Sequence, residues 1–361
     1  MNDLPLSGDA PGFVKKAQNM TSFYEASNRE PFWIAFTKIN IKLFEQPKTG
    51  MRISAVILLI CSSILIFIIS FLLIGFRAAY SSCLFFLYIP YLSYSPLRAH
   101  RLELYLFLML LITTAVLYIK KTMGRTVILT ILFAALFLTR MESIVFIAAA
   151  FILYLNKARR SKRIQYLILS TTVFLTLSAS FNINCLIKKG SLFSVLNKHS
   201  RFYATHEMAS RGSISNEKAL SNKAFASVHT VEYLFYPENL LKNIFRVFNG
   251  YYVTLTSAAK HLLSVPVNLA FFLPVIWIAL FLMLLKSGGR WLLLWGLLYL
   301  LPHSFMLADK IAGRGSVDIR FAAAVTPLLS FSFGFFVDFL HGIPKIKPRF
   351  CIRNKEPKTE S

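Results

Sequence analysis

MRISAVILLICSSILIFIISFLLIGF, residues 51 to 76, decides the architecture. From Ile53 to Ile74 it holds no charge, no proline and no glycine. A helix rises about 1.5 Å per residue, so this run alone matches the roughly 30 Å hydrocarbon layer of a bilayer. Eight further apolar stretches flank it, at 79–94, 102–119, 126–139, 143–156, 164–183, 262–285, 291–308 and 321–340. The sequence therefore predicts an all-α polytopic membrane protein with about nine transmembrane helices, the second, fourth and fifth of them short.

Composition agrees. Of 361 residues 56% are hydrophobic and 16% charged, with 34 phenylalanines, which is too apolar for a soluble domain. The formal charge of +24 is spread between apolar runs and forms no single patch, which argues against nucleic acid and toward anionic lipid or phosphorylated substrates. The four cysteines, Cys61, Cys83, Cys185 and Cys351, have neither zinc nor disulfide spacing.

Charge orients the spans. The connections KKTMGR (120–125), NKARRSKR (156–163) and KSGGR (286–290) and the tail after 341 are basic. Short basic connections mark the cytoplasmic side. With nine spans all four fall on one side. The predicted division is a first extracytoplasmic loop with an interfacial helix (1–52), an N-terminal transmembrane bundle (53–183), a large extracytoplasmic loop (184–261), C-terminal transmembrane helices (262–340) and a basic cytoplasmic tail (341–361). Residues 1–52 carry no signal-peptide apolar core, so a further helix is expected ahead of them.

Two outer segments read as helices lying in the membrane surface. FWIAFTKINIKLF (32–44) follows Arg29-Glu30-Pro31 and sets Phe32, Trp33, Phe36, Ile39 and Leu43 against Lys38 and Lys42. After Pro237, Leu240, Leu241, Ile244, Phe245 and Phe248 alternate with Lys242, Asn243, Arg246 and Asn249. Ionisable residues cluster at the outer ends of spans, where they are costly and serve as functional candidates. These are Arg98, His100, Arg101 and Glu103 in SPLRAHRLELYLF, Arg140 and Glu142 in LTRMES, His303, and Lys310, Arg314, Asp318 and Arg320. An arginine at such a place can also snorkel to the interface with a purely structural role. No glycine-rich phosphate loop or dinucleotide fingerprint is present in the sequence.

The order of these pieces resembles the GT-C superfamily of polytopic glycosyltransferases, in particular glycosyltransferase family 39. That family includes protein O-mannosyltransferases and the bacterial enzymes that move aminoarabinose from an undecaprenyl phosphate carrier to lipid A. The resemblance rests on GDAPGFVKKAQNM, REPFWIAFTKINIKLFEQ and MRISAVILLI, then YSPLRAHRLELYLF, LTRMES and DIRFAAAVTPLLSFSFG. Met141 stands where the family has proline, and Asp9 is a lone acid where many members have Asp-Glu.

The resemblance implies inverting transfer of a hexosyl or pentosyl group from a polyprenyl-phosphate-linked donor to a lipid, glycan or protein acceptor. It places the base at Asp9. It makes Glu103 a second carboxylate that either orients the acceptor or holds a divalent metal ion. It offers Arg29, Arg101, Arg140 and Arg320, with Lys310, for the phosphate. Glu30 joins this substrate-binding set, and Glu142 holds Arg140 in place. No nucleotide cofactor is implied. The setting implied is a bacterial inner membrane with the site facing outward, with membrane lipids as partners. Competing readings are a transporter or flippase of lipid-linked or anionic substrates, a ligase or polymerase of polysaccharide assembly, and a catalytically inactive family member.

Overall fold

A computed structural model describes residues 10–24, 30–98, 101–118, 122–156, 160–189, 237–264, 268–307 and 323–342. Every regular element among them is helical. The chain runs α1 (Ala10–Gln18), α2 (Pro31–Phe44), α3 (Pro47–Leu73), α4 (Phe76–Tyr88), α5 (Pro90–Arg98), α6 (Leu102–Tyr118), α7 (Met123–Thr139), α8 (Ile144–Asn156) and α9 (Arg163–Lys189). It resumes with α10 (Pro237–Val253), α11 (Ala259–Ser264), α12 (Leu273–Met283), α13 (Ser287–Leu307) and α14 (Thr326–Gly342).

Three of these helical stretches, Pro47–Leu73, Arg160–Lys188 and Ala323–Gly342, are each long and apolar enough to cross a bilayer. Leu102–Tyr118, Met123–Thr139 and Met141–Asn156 are apolar but shorter. Ala270–Met283 and Ser287–His303 pass the same test as a pair, bent by 118°. The protein is thus an integral multi-pass membrane protein, and α3 coincides with the run that decides the fold.

Two of the nine expected spans are not continuous helices. The stretch 79–94 stops at Tyr88, because Ile89 precedes Pro90 and takes φ −59°, ψ 116°. Proline bars the residue before it from the helical region, and its own fixed φ then starts α5. The stretch 262–285 ends its first helix at Ser264, two residues before Pro266. It restarts after Asn268, whose Oδ1 accepts from the Ala270 amide at 3.1 Å. Upstream, α10 and α11 are joined through a π turn at Thr254–Ala258.

The surface-helix reading of 32–44 also needs correction. Trp33 is only 3% exposed and belongs to the core, as do Ile34, Thr37 and Asn40. Ile39 and Leu43 do face outward. The buried face is set by partners in other elements: Phe13 of α1 meets the Trp33 ring edge-on at 6.2 Å, and Ser54 of α3 donates to Asn40 Oδ1 at 2.7 Å. The α2–α3 corner is tight. Glu45 closes α2 at φ 54°, and a Cβ on Gly50 would sit 2.9 Å from the Asn40 carbonyl.

The centre of the bundle is aromatic and aliphatic. The α4–α14 pair has the most extensive contact, and α3 packs on both α4 and α6. Phe85, Phe272 and Phe333 stack between α4, the turn before α12, and α14. Along α13 and α14, Gly289 meets Phe335 and Gly296 meets Leu328, so the two helices run antiparallel in fixed register. At the bend between α12 and α13, Lys286 lies 3.6 Å from Asp338 and 5.7 Å from the Phe335 ring centroid.

Candidate functional site

One end of α6 gathers the buried charges. Arg101 sits immediately before α6, and its carbonyl accepts from the Tyr105 amide at 3.1 Å. Its guanidinium pairs with Glu30. Glu30 is itself fixed by helix geometry, since it caps α2 and its carbonyl accepts from Ile34 at 3.0 Å. The Arg101 guanidinium also lies 6.0 Å from the Phe13 ring centroid, at the edge of cation–π range. Alpha1 thus lies against the same cluster through its buried face of Ala10, Phe13 and Ala17.

Arg140 closes α7. Its amide donates to Leu136 at 2.9 Å, and Ser143 Oγ donates to its carbonyl at 2.6 Å. The side chain is buried, with Nη2 3.4 Å from Glu142 Oε1 and the guanidinium 5.3 Å from the Tyr105 ring centroid. His303 of α13 brings its ring to 5.3 Å from the same tyrosine. Each arginine therefore has an acid partner and an aromatic neighbour, and both border the first turn of α6.

Glu103 is directed elsewhere. It is 2% exposed, and Ser95 of α5 donates to its Oε1 at 2.6 Å. Its Oε2 has no hydrogen-bond partner among the described residues. Alpha5 is pinned a second time by Arg52, a buried arginine at the start of α3, whose Nε donates to the Leu97 carbonyl at 3.1 Å. A cation on the last carbonyls of a helix satisfies acceptors that have no partner within it.

The structure thus joins Glu30 to Arg101 and Arg140 to Glu142, sets both pairs about α6, and turns Glu103 toward α5. Asp9, Arg29, Lys310 and Arg320 lie outside the described residues, as do His100, Arg314 and Asp318. Among the described residues no group of three His, Cys, Asp or Glu side chains gathers as a metal site. A divalent ion at Glu103 would need ligands from a bound phosphate or from beyond those residues. Sequence reasoning passed over Tyr105 and Ser95. A polar ring in an apolar run and a serine in a polar turn gave little signal before their neighbours were known.

Residues 28–182 match the family model for dolichyl-phosphate-mannose-protein mannosyltransferases, a segment that runs from just before Glu30 through both arginine clusters. The coordinates resemble the archaeal oligosaccharyltransferase AglB from Archaeoglobus fulgidus, solved with an inhibitory peptide and a dolichol-phosphate. The TM-score is 0.50 at 12% identity over 92% of this chain and 46% of that one. The chain shares its fold with that oligosaccharyltransferase. A second Archaeoglobus fulgidus oligosaccharyltransferase structure, in the apo form, gives a TM-score of 0.49 at 12% identity, over 91% of this chain and 46% of that one. The chain spans less than half the length of those enzymes. No curated protein matches it.

Proposed function

We propose that the protein is a membrane glycosyltransferase that moves a sugar from a polyprenyl-phosphate carrier to an acceptor hydroxyl or amine, with inversion. The observation that carries this reading is the pair of arginines, each held by an acid and an aromatic ring, at one end of α6. The family match spans that same region. Preorganised guanidinium groups stabilise charge that develops on a departing phosphate, and they fit phosphate better than a lysine does.

Roles follow from chemistry. Asp9, one residue before the buried Ala10 at the head of α1, takes the acceptor proton. Arg101 and Arg140, with Arg29, Arg320 and Lys310, hold the phosphate. Glu30 and Glu142 fix the two described arginines. Glu103 orients the acceptor through the α5–α6 corner or lends an oxygen to a divalent ion. The lipid tail lies in a groove between spans. The loop 184–261 selects the acceptor, a lipid, glycan or protein, and the sugar is a hexose or pentose. In a bacterial inner membrane the site would face outward, where the donor needs no nucleotide.

The test is transfer from a polyprenyl-phosphate sugar by the membrane-embedded chain and its Asp9→Asn and Glu103→Gln variants. Loss of transfer in Asp9→Asn with donor binding intact is expected. Full activity in Asp9→Asn removes the base assignment. Absence of transfer from every lipid-linked donor removes the enzyme reading.

A further inference from the structure

Tyr105 stands between two functional candidates that come from different helices. Its ring lies 5.3 Å from the Arg140 guanidinium and 5.3 Å from the His303 ring, inclined 53° to the latter. It is fully buried, and its hydroxyl has no hydrogen-bond partner among the described residues. The face of an aromatic ring attracts a cation most where water is excluded. Arg140 sits at a helix end, where the backbone fixes its Cα but not the end of a long, flexible side chain. Glu142, two residues further along the same chain, lies 3.4 Å from its Nη2.

We infer that Tyr105 is a positioning residue for Arg140: its ring, braced by His303, holds the guanidinium in the orientation that receives the donor phosphate. The inference rests on the glycosyltransferase reading above, in which Arg140 meets that phosphate. It adds the α6–α13 contact as part of the binding machinery, so that His303 contributes by fixing a ring.

The experiment measures binding of radiolabelled undecaprenyl phosphate to the full chain in nanodiscs, with melting temperature recorded for each variant. Tyr105→Leu should weaken binding roughly ten-fold, the scale of one desolvated cation–π contact. Tyr105→Phe should bind like the parent. Ring-fluorinated phenylalanines at position 105 should weaken binding in steps as fluorine drains the negative face of the ring, an effect that a purely space-filling role would not produce. That series keeps the side-chain shape, so it decides the matter even where Tyr105→Leu fails to fold. Unchanged binding across the fluorinated series, or a loss in Tyr105→Phe as large as in Tyr105→Leu, overturns the inference. If Arg140→Ala binds like the parent, the phosphate role of Arg140 falls and takes this inference with it. If Arg140→Ala loses affinity while the fluorinated series does not, the inference falls alone.

Discussion

Glu30 and Arg101 form an ion pair that reaches in sequence across α2, α3, α4 and α5. The pair ties the segment ahead of the first long span to the head of α6. Both side chains are largely buried, so neither can lose its partner cheaply. Glu30→Gln and Arg101→Gln should each destabilise the detergent-solubilised protein by about 3 kcal/mol. In a double-mutant cycle the paired variant should lose less than the sum by roughly 0.5–3 kcal/mol. Strict additivity would show that the pair contributes no coupling.

Ser95 Oγ donates to Glu103 Oε1 at 2.6 Å. Ser95→Ala should leave that buried carboxylate under-satisfied at a cost of about 1–3 kcal/mol. If Glu103 orients the acceptor, the same variant should lower kcat for sugar transfer while leaving the donor KM near the parent value. An effect on donor KM alone would assign Glu103 to the phosphate side.

A Cβ on Gly334 would collide with Ser82 Oγ and the Ala78 carbonyl, at the centre of the α4–α14 contact. Gly334→Ala should therefore cost about 1–3 kcal/mol as an overpacked core does. Gly124, near the start of α7, has nothing within 4 Å of the same added atom. Gly124→Ala should be neutral or stabilising by up to about 1 kcal/mol through helix propensity. Thermal unfolding of the two variants side by side checks both signs.

Asn184, close to the end of α9, donates to the Tyr24 carbonyl at 2.8 Å. This bond links the last turns of α9 to the segment between α1 and Glu30. Asn184→Leu should cost about 1 kcal/mol and raise the rate of proteolytic cleavage near Tyr24. An unchanged cleavage pattern would show that the segment is held elsewhere.

The long helix α3 was legible because an uncharged run of that length has one stable solution in a bilayer. The break at Pro90 was legible in principle, yet a hydropathy reading averages over it. A single missing amide changes direction without changing mean polarity. Trp33 was placed on the outer face because residue type ranked it with Phe32 and Phe36. Its burial depends on Phe13, a residue in another helix. The contact of Glu142 with Arg140 was expected from LTRMES and is present, while the pairing of Glu30 with Arg101 was not foreseen. Which acid meets which arginine is a tertiary fact, and Tyr105 gains significance only from the two side chains beside it.

The Lys286–Asp338 contact settles a question of parity. It puts the apex of the α12–α13 bend at the same end of the bundle as the close of α14. From that apex α13 climbs to His303, roughly 25 Å away at helical rise, where it reaches Tyr105. Alpha14 descends antiparallel beside it, in the register fixed at Gly289 and Gly296. His303 and Ala323 therefore lie toward the same end of this helix pair, the end at which Tyr105 meets Arg140. However many crossings precede them, α13 and α14 share both their levels: one end of each lies at the α12–α13 bend, and the other lies at the level of His303 and Tyr105.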